Sequence, residues 1–455
     1  MKRLLLIAAL VAAPALHAAQ TTITLLQVSD YHSHAQPFYS ESRAAQGGIA
    51  RAIGYMKREK QRGAFVFSGG DMINKGSPAW SDKYQCREWP WLNGVVDAMA
   101  FGNHDADYGR AQFDRCRDSI RYPILSANTT IDGAAPFQPY IVVKRGKIRI
   151  GVFALAGSDF TSLVKADGLH FTSAIEAARN VVRTLRENEH VDAVVSIGHE
   201  SIDEDFALAR AVPGIDVIFG SHSHLKRQLQ QIDGTQTWFV SPSQYLTYIS
   251  RVQLVFNGRK LAKVRGGLVR VDSSLPSDAM VAKNVAAMQR ELEHDPEYAA
   301  LFDVIGNAAK PIEVEGLLTR NSQLGSLVMD VVRNVSGADV AFSTSSSFRQ
   351  AIDAGPITME ELRGALPYDN EIVVYEMTGE RLKQLLAFAE TRRETDFFLQ
   401  TSGVHAFDDA KTYRVATTDY LARIAPGYRD FFTGLTAQPT GRKIRDEVRK
   451  YLGAR

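Results

Sequence analysis

Aliphatic and β-branched runs alternate with helix-like stretches along the first 270 residues. The runs lie at 22–28, 64–68, 148–154, 191–197, 215–219 and 248–256. The stretches between them, such as 49–60 and 173–188, place apolar residues at i, i+3 and i+4 among Arg, Lys and Glu. This alternation predicts a layered α/β domain.

A second mixed α/β pattern follows a helical segment at 278–306, with strands predicted at 338–342, 371–377 and 412–417. We therefore predict a first domain at 20–274, a helical linker at 275–306 and a second domain at 307–455. The length of 455 residues fits two domains. With 45% hydrophobic and 23% charged residues, the chain is neither disordered nor a polytopic membrane protein.

The N-terminus has the pattern of an export signal. Lys2 and Arg3 precede an uncharged run at 4–16, and the small residues Ala18 and Ala19 follow. We predict a signal peptide at 1–19, because the run is too short to cross a bilayer. The mature protein is then expected to be periplasmic or secreted, with no membrane span. Its nearly balanced charge, 53 basic against 51 acidic residues, gives no sign of a nucleic-acid polymer as partner.

The chain has two cysteines, Cys86 and Cys116. In an exported protein such a pair favours one disulfide over two free thiols. Three of the four tryptophans fall at 80–91, where aromatic packing is favoured over a substrate lid.

Asp, His and Asn residues cluster in five polar loops, most of them directly after a predicted strand. They are Asp30, His32, Asp71, Asn103, His104, His199, His222 and His224. Ligands of open α/β sheets bind where the strands end at their carboxyl edge, so these loops are expected to converge.

Oxygen and nitrogen ligands without cysteine suit divalent ions such as Mn, Zn or Co. Without His104, seven potential ligands are too many for one tetrahedral ion, and two ions that share a carboxylate would use them. Asp71 is the predicted bridge, because it is the only candidate in its loop. Two such ions would lower the pKa of a bridging water and clamp the oxygens of a phosphate.

His104 and Asp107 lie three positions apart, so one turn can bring the carboxylate against the imidazole. A histidine held in this way can supply the proton that a leaving alkoxide needs. The alternative is that Asp107 only caps a following helix.

These motifs together resemble the calcineurin-like metallophosphoesterases, and within them the secreted 5'-nucleotidase and UDP-sugar hydrolase family. The matching segments are Asp30-Tyr31-His32, Gly70-Asp71, Gly102-Asn103-His104 with Asp107, Ser126-Ala127-Asn128, Gly198-His199 and Gly220-Ser221-His222-Ser223-His224. The resemblance implies a layered α/β/β/α metallophosphoesterase domain followed by a mixed α/β 5'-nucleotidase-type domain.

The resemblance also implies residue roles. One ion would be held by Asp30, His32, Asp71 and His224, and the other by Asp71, Asn103, His199 and His222. His104 and Asp107 resemble the family's catalytic dyad.

The C-terminal half resembles the family's nucleotide-recognition domain at Leu324-Gly325, Gly337-Ala338-Asp339, Ile357-Thr358, Leu366-Pro367-Tyr368-Asp369-Asn370 and Met377-Thr378-Gly379. Phe398 and Tyr428 match the positions of two rings that stack on a base, and Arg349 matches a substrate-binding arginine. Two glycine-rich loops of the family are replaced here by Ser345-Ser346-Ser347 and by Ile424-Ala425-Pro426-Gly427. Both loops are therefore reshaped.

The expected function is a monomeric two-metal hydrolase of nucleotides or related phosphoesters, in which a metal-bridged hydroxide attacks phosphorus. One alternative is a different hydrolase on the same scaffold, such as a cyclic phosphodiesterase or a sulfur-compound hydrolase. The other is a binding protein that keeps the fold.

Overall fold

The computed structural model describes residues 20–454, and the predicted signal peptide at 1–19 lies outside them. The first part of the chain has sixteen strands and six α-helices within the described residues. The strands are β1 (Gln20–Val28), β2 (Phe38–Ser40), β3 (Arg43–Gln46), β4 (Phe65–Ser68), β5 (Ala98–Ala100), β6 (Ile124–Leu125), β7 (Thr129–Ile131), β8 (Tyr140–Arg145), β9 (Ile148–Phe153), β10 (Leu169–Phe171), β11 (Ala193–Ser196), β12 (Val217–Phe219), β13 (Lys226–Gln231), β14 (Trp238–Pro242), β15 (Tyr248–Asn257) and β16 (Lys260–Arg270). The helices are α1 (Ile49–Gln61), α2 (Ala79–Tyr84), α3 (Arg110–Asp118), α4 (Phe160–Leu163), α5 (Ala174–Arg183) and α6 (Ile202–Ala211).

The rest of the described chain alternates helices and strands. The helices are α7 (Ala279–Glu293), α8 (Gln323–Ser336), α9 (Met359–Ala365), α10 (Gly379–Thr391), α11 (Asp419–Arg423) and α12 (Ile444–Gly453). The strands are β17 (Val304–Ala308), β18 (Val340–Thr344), β19 (Gly355–Thr358), β20 (Glu371–Thr378), β21 (Leu399–Gly403), β22 (Thr412–Thr418) and β23 (Gln438–Lys443).

Two six-stranded sheets pack face to face in the first domain. Their strand orders are β16-β15-β1-β4-β5-β6 and β13-β14-β12-β11-β9-β8. Apolar side chains of both sheets, among them Leu25, Phe67, Val152 and Val195, form the core between them. Helices α1 and α7 contribute to the core on the outer face of the first sheet, and α5 and α6 to that of the second. The predicted α/β/β/α layering is confirmed.

Parallel pairing places the candidate loops at one edge. Strands β1, β4, β5 and β6 run parallel, as do β9, β11, β12 and β14. Within each sheet, the loops that follow these strands therefore leave from the same edge, which is where ligands of such sheets bind.

The second domain is built on a five-stranded sheet of order β21-β18-β22-β20-β23. Helices α8 and α12 contribute to the core on one face, and α10 and α11 to that on the other. Of the segment predicted as a linker, α7 packs into the core of the first domain through Val285 and Leu292, and β17 begins within its last residues. The limits at 274 and 306 stay predictions.

A disulfide joins Cys86 to Cys116, as predicted. It ties the tryptophan-rich segment to α3. Trp80 and Trp89 are buried in the same core, and Trp80 donates to the buried carboxylate of Glu88 (3.2 Å). The described helices of residues 20–454 include none that is long and apolar enough to cross a membrane.

Candidate active site

Backbone hydrogen bonds join the loops after β1 and β4. The amide of Asp30 donates to the carbonyl of Gly70 (3.1 Å), and the amide of His32 donates to that of Asp71 (3.0 Å). The second sheet joins the same region, because the amide of His222 donates to Asp30 Oδ1 (3.1 Å). The loops predicted to converge therefore do meet.

Two groups of potential metal ligands share Asp71. Asp30, His32, Asp71 and His224 form one group, and Asp71, His199 and His222 form the other. Within each group, the potential ligand atoms all lie within 4.8 Å of one another. The two groups contain every predicted ligand except Asn103, whose side chain is an amide.

The two oxygens of Asp71 have different surroundings. Oδ1 accepts the backbone amide of His104 (2.8 Å), which fixes the carboxylate. Oδ2 lies 3.7 Å from His32 Nε2 and 3.2 Å from His199 Nε2, and so between the two groups. This is the position that a bridging carboxylate requires.

Two polar atoms at this place are buried without a hydrogen-bond partner, Asp30 Oδ2 and Asn103 Oδ1. Burying such atoms unpaired costs about 1 to 3 kcal/mol each, so they point to groups that bind here. The donor set of carboxylates, imidazoles and one amide fits divalent ions.

The other ring nitrogens of the candidate histidines are held by neighbours. Nδ1 of His199 lies 2.6 Å from the carbonyl of Gly69, and Nδ1 of His32 lies 3.3 Å from that of Ile73. Both contacts favour a proton on Nδ1 and leave Nε2 as the ligand atom. Nε2 of His222 lies 2.9 Å from Asp159, a carboxylate that the sequence did not single out.

The charges of the first group suit a bound cation. Burial opposes ionisation of Asp30, but His224 and His199 beside it lower its pKa to about 2. Burial holds the pKa of His32 well below its ordinary value, and burial together with Arg349 lowers the pKa of His224 to about 4. Ionised carboxylates and neutral imidazoles are the forms that bind metal.

Five of the candidate ligands have left-handed backbone conformations. The φ angles are 51° at Asp30, 46° at His32, 54° at Asp71 and 57° at both His222 and His224. Non-glycine residues rarely adopt these angles, which cost about 1 to 3 kcal/mol each and persist where neighbours hold them. The hydrogen bonds between the loops supply that restraint.

His104 and Asp107 form the predicted pair. Nδ1 of the imidazole lies 2.7 Å from Asp107 Oδ2, and the His104 ring centroid is 5.2 Å from that of His32. Burial alone would lower the pKa of His104, but Asp107 and Asp71 raise it to about 10. The histidine can therefore hold a proton and present it through Nε2.

Asp105 is a buried carboxylate whose role the sequence reasoning missed. Its oxygens accept the backbone amides of Met72 (2.7 Å) and Gly102 (2.8 Å), so it joins the loop of Asp71 to the loop of Asn103. Its place between the two residues of the predicted catalytic pair, His104 and Asp107, was the available signal.

The second domain contributes Arg349, which contacts His224 Nδ1 and donates to the hydroxyl of Tyr368 (2.9 Å). The Tyr368 side chain is 42% exposed, and the sequence reasoning gave it no role. An exposed ring beside a guanidinium is the arrangement that a flat, anionic ligand requires.

Phe398 and Tyr428 do not form the expected pair of free ring faces. The Tyr428 side chain is fully buried in the core of the second domain, and its hydroxyl donates to the carbonyl of Phe397 (2.7 Å). Its ring packs edge-on against Phe388. Phe398 is also buried, with Arg393 over its ring. Tyr428 is part of the domain core, and the guanidinium of Arg393 covers the ring of Phe398, which the family pattern could not reveal.

A cavity of about 840 Å³ opens beside the candidate metal ligands. Both domains line it, and its walls include His224, Tyr245, Phe348 and Arg349. Its volume lies in the range of small-molecule and cofactor sites.

Two family models match the chain. Residues 23–226 match the calcineurin-like phosphoesterase model, and residues 304–407 match the 5'-nucleotidase C-terminal domain. This chain belongs to the 5'-nucleotidase family of calcineurin-like phosphoesterases. The predicted family and fold class are confirmed, and membership makes the protein a metal-dependent phosphoester hydrolase.

Relatives of this 5'-nucleotidase family member span most of its length. Protein UshA of Escherichia coli is 24% identical over 474 residues, which cover 89% of this chain and 86% of UshA. The trifunctional nucleotide phosphoesterase YfkN of Bacillus subtilis is 25% identical over 416 residues, but this chain spans only 28% of it. The crystal structure of a 5'-nucleotidase precursor from Thermus thermophilus superposes with a TM-score of 0.75 at 22% identity, over 95% of this chain and 96% of that one.

Proposed function

We propose that this protein is a two-metal hydrolase of nucleoside 5'-monophosphates and related phosphomonoesters. The position of Asp71 Oδ2 between the two ligand groups carries this proposal. Asp30, His32, Asp71 and His224 would hold one ion, and Asp71, Asn103, His199 and His222 the other. Divalent ions such as Mn, Zn or Co would supply Lewis acidity to the phosphate and lower the pKa of a bound water.

The remaining steps belong to the chain itself. Asp107 holds the imidazole of His104 by its Nδ1, so Nε2 can deliver a proton to the leaving oxygen as its bond to phosphorus breaks. Arg349 stands at the wall of the cavity beside His224, where a guanidinium can pair with a phosphate oxygen. Tyr368 would offer a ring face to the nucleoside.

The proposal extends to place and assembly. The predicted export signal at 1–19 and the disulfide between Cys86 and Cys116 suit an oxidising compartment, so we place the mature protein in the periplasm or outside the cell. We propose in addition that it is a monomer. We also propose that the chain has two domains, at 20–274 and 307–455, which the segment 275–306 joins. The names of the relatives, which include nucleotide phosphoesterases, support a nucleotide as substrate.

A substrate panel tests this function. The mature chain, loaded with Mn, Zn or Co in turn, should hydrolyse nucleoside 5'-monophosphates best among monophosphates, UDP-sugars, cyclic nucleotides and thiosulfonate esters. Asp71→Asn should abolish that activity, while His294→Asn, at the exposed end of α7, should keep it. Preference for a cyclic nucleotide or a thiosulfonate would move the chain to a different hydrolase class. Metal binding without turnover of any compound would favour a binding protein.

A further inference from the structure

Helix α9 of the second domain contacts a loop of the first domain at residues 74–79. The guanidinium of Arg363 donates to the carbonyl of Gly76 and lies 3.4 Å from Asp82 Oδ2. Glu360 accepts the backbone amide of Ala79 (2.7 Å). Arg363 and Glu360 are only 12% and 16% exposed, so these contacts are largely shielded from water.

The other side of the same loop holds the catalytic pair. The backbone amide of Lys75 donates to Asp107 Oδ2 (3.0 Å), the same oxygen that faces His104 Nδ1 at 2.7 Å. Lys75 directly precedes Gly76, whose carbonyl Arg363 holds. One peptide unit therefore separates the Gly76 carbonyl, which Arg363 binds, from the Lys75 amide, which binds the carboxylate of Asp107.

Asp82 provides a second connection. Its Oδ1 accepts the amide of Gly76 (2.8 Å) and the hydroxyl of Tyr108 (2.7 Å), while its Oδ2 faces Arg363. Tyr108 directly follows Asp107 in the chain. Arg363 is thus connected to Asp107 by two routes. One runs through the backbone of the loop, and the other runs through Asp82 and Tyr108.

Hydrogen bonds to a carboxylate are charge-assisted and fix its direction. Asp107 is held by one loop amide in addition to His104, so a shift of that loop would turn the carboxylate and the imidazole with it. Misplacement of a proton donor by about 1 Å is enough to cost a large factor in rate.

We propose that Arg363 is a positioning residue for the hydrolysis. By binding the loop at 74–79, it makes the orientation of the His104 imidazole depend on contact with the second domain. This inference rests on the proposed function. It assigns the second domain a part in proton delivery to the leaving oxygen, in addition to substrate contact.

The first test compares leaving groups. When the bond between phosphorus and the ester oxygen breaks, its electron pair stays on that oxygen. A nucleoside alkoxide must then take a proton, whereas p-nitrophenolate is stable without one. Arg363→Ala should therefore lower kcat for a nucleoside 5'-monophosphate by about tenfold or more, with KM nearly unchanged and a much smaller effect on p-nitrophenyl phosphate. Arg363→Lys, which keeps a donor for Gly76, should recover part of the loss.

Two controls separate positioning from loss of the domain contact. Arg227→Ala removes a different contact between the domains, the hydrogen bond of Arg227 to the carbonyl of Glu394 (2.9 Å), and should leave the leaving-group dependence unchanged. In an Asp107→Ala background, Arg363→Ala should add little, because both changes act on the same interaction. An equal loss on both substrates, or full additivity with Asp107→Ala, would overturn the proposal.

The second test needs no turnover. The proton between His104 Nδ1 and Asp107 should give a downfield proton resonance, assigned by its absence in His104→Asn. Arg363→Ala should shift or broaden this resonance, and Arg227→Ala should not. A parent protein that hydrolyses no phosphoester contradicts the proposed function, whereas an unchanged resonance in Arg363→Ala contradicts only this inference.

Discussion

At the scale of single residues, the site depends on groups that have more than one partner. Asp71 gives one oxygen to the amide of His104 and presents the other between His32 and His199. The hydrogen bond to the His104 amide therefore orients the carboxylate independently of a bound ion. A preset ligand lowers the conformational cost of binding an ion, which is the advantage of fixing it within the fold.

The sequence indicates the candidate ligands because each lies in a polar loop near the end of a strand, and the structure brings these loops together. The sequence did not indicate the roles of Asp105 and Asp159, for a physical reason. Asp105 acts on the backbone amide of Met72, and Asp159 acts on the imidazole of His222, 63 positions away. The position of Asp105 beside His104 marks it as a candidate, but nothing in the local pattern of either residue identifies its distant partner.

Glu88 gives a prediction at this scale that is independent of catalysis. Its side chain is fully buried, with one oxygen unpaired, and burial raises its pKa to about 7 although Trp80 donates to it. In the unfolded chain the ordinary pKa is 4.5. Because the folded pKa is the higher one, stability is lost as the pH rises from about 4.5 through about 7.

Glu88→Gln should remove this loss. The variant should match the parent near pH 4.5 and exceed it by up to about 3 kcal/mol of unfolding free energy at pH 8, measured by urea unfolding. Glu376→Gln, on the exposed side of β20, is the matched control and should show no such trend. A Glu88→Gln difference that does not grow with pH would contradict the assignment.

At the scale of elements, the long aliphatic runs predict the central strands closely. The runs at 22–28 and 371–377 correspond to β1 (Gln20–Val28) and β20 (Glu371–Thr378). Strand β5 was not recognised, although it precedes the loop of Asn103 and His104. Its three residues Ala-Met-Ala have no β-branched side chain, and pairing with β4 and β6 makes it a strand.

The disulfide should stabilise the segment that carries Asp82. Replacing both Cys86 and Cys116 by Ala opens a loop of 30 residues, which should lower the free energy of unfolding by about 3 to 4 kcal/mol. Urea unfolding of the variant and of the parent measures this difference, and a reductant should shift the parent toward the variant. A loss below about 1 kcal/mol would show that the cross-link has little effect on stability.

At the scale of the whole molecule, both domains form the cavity. Arg349 and Phe348 line it from the second domain, and His224 and Tyr245 from the first. The family pattern predicts this arrangement in outline, but it could not predict which aromatic faces are free. Tyr428 became a core residue and Tyr368 an exposed one, because that choice depends on how the rebuilt loops pack.

If Asp71 bridges two ions, the metal content of the protein depends on its carboxylate. Elemental analysis of the purified protein after dialysis should find about two divalent ions per chain in the parent and in His294→Asn. His222→Ala should keep about one ion, and Asp71→Asn should keep almost none. A parent with a single ion, or an Asp71→Asn variant that still holds two, would contradict the account.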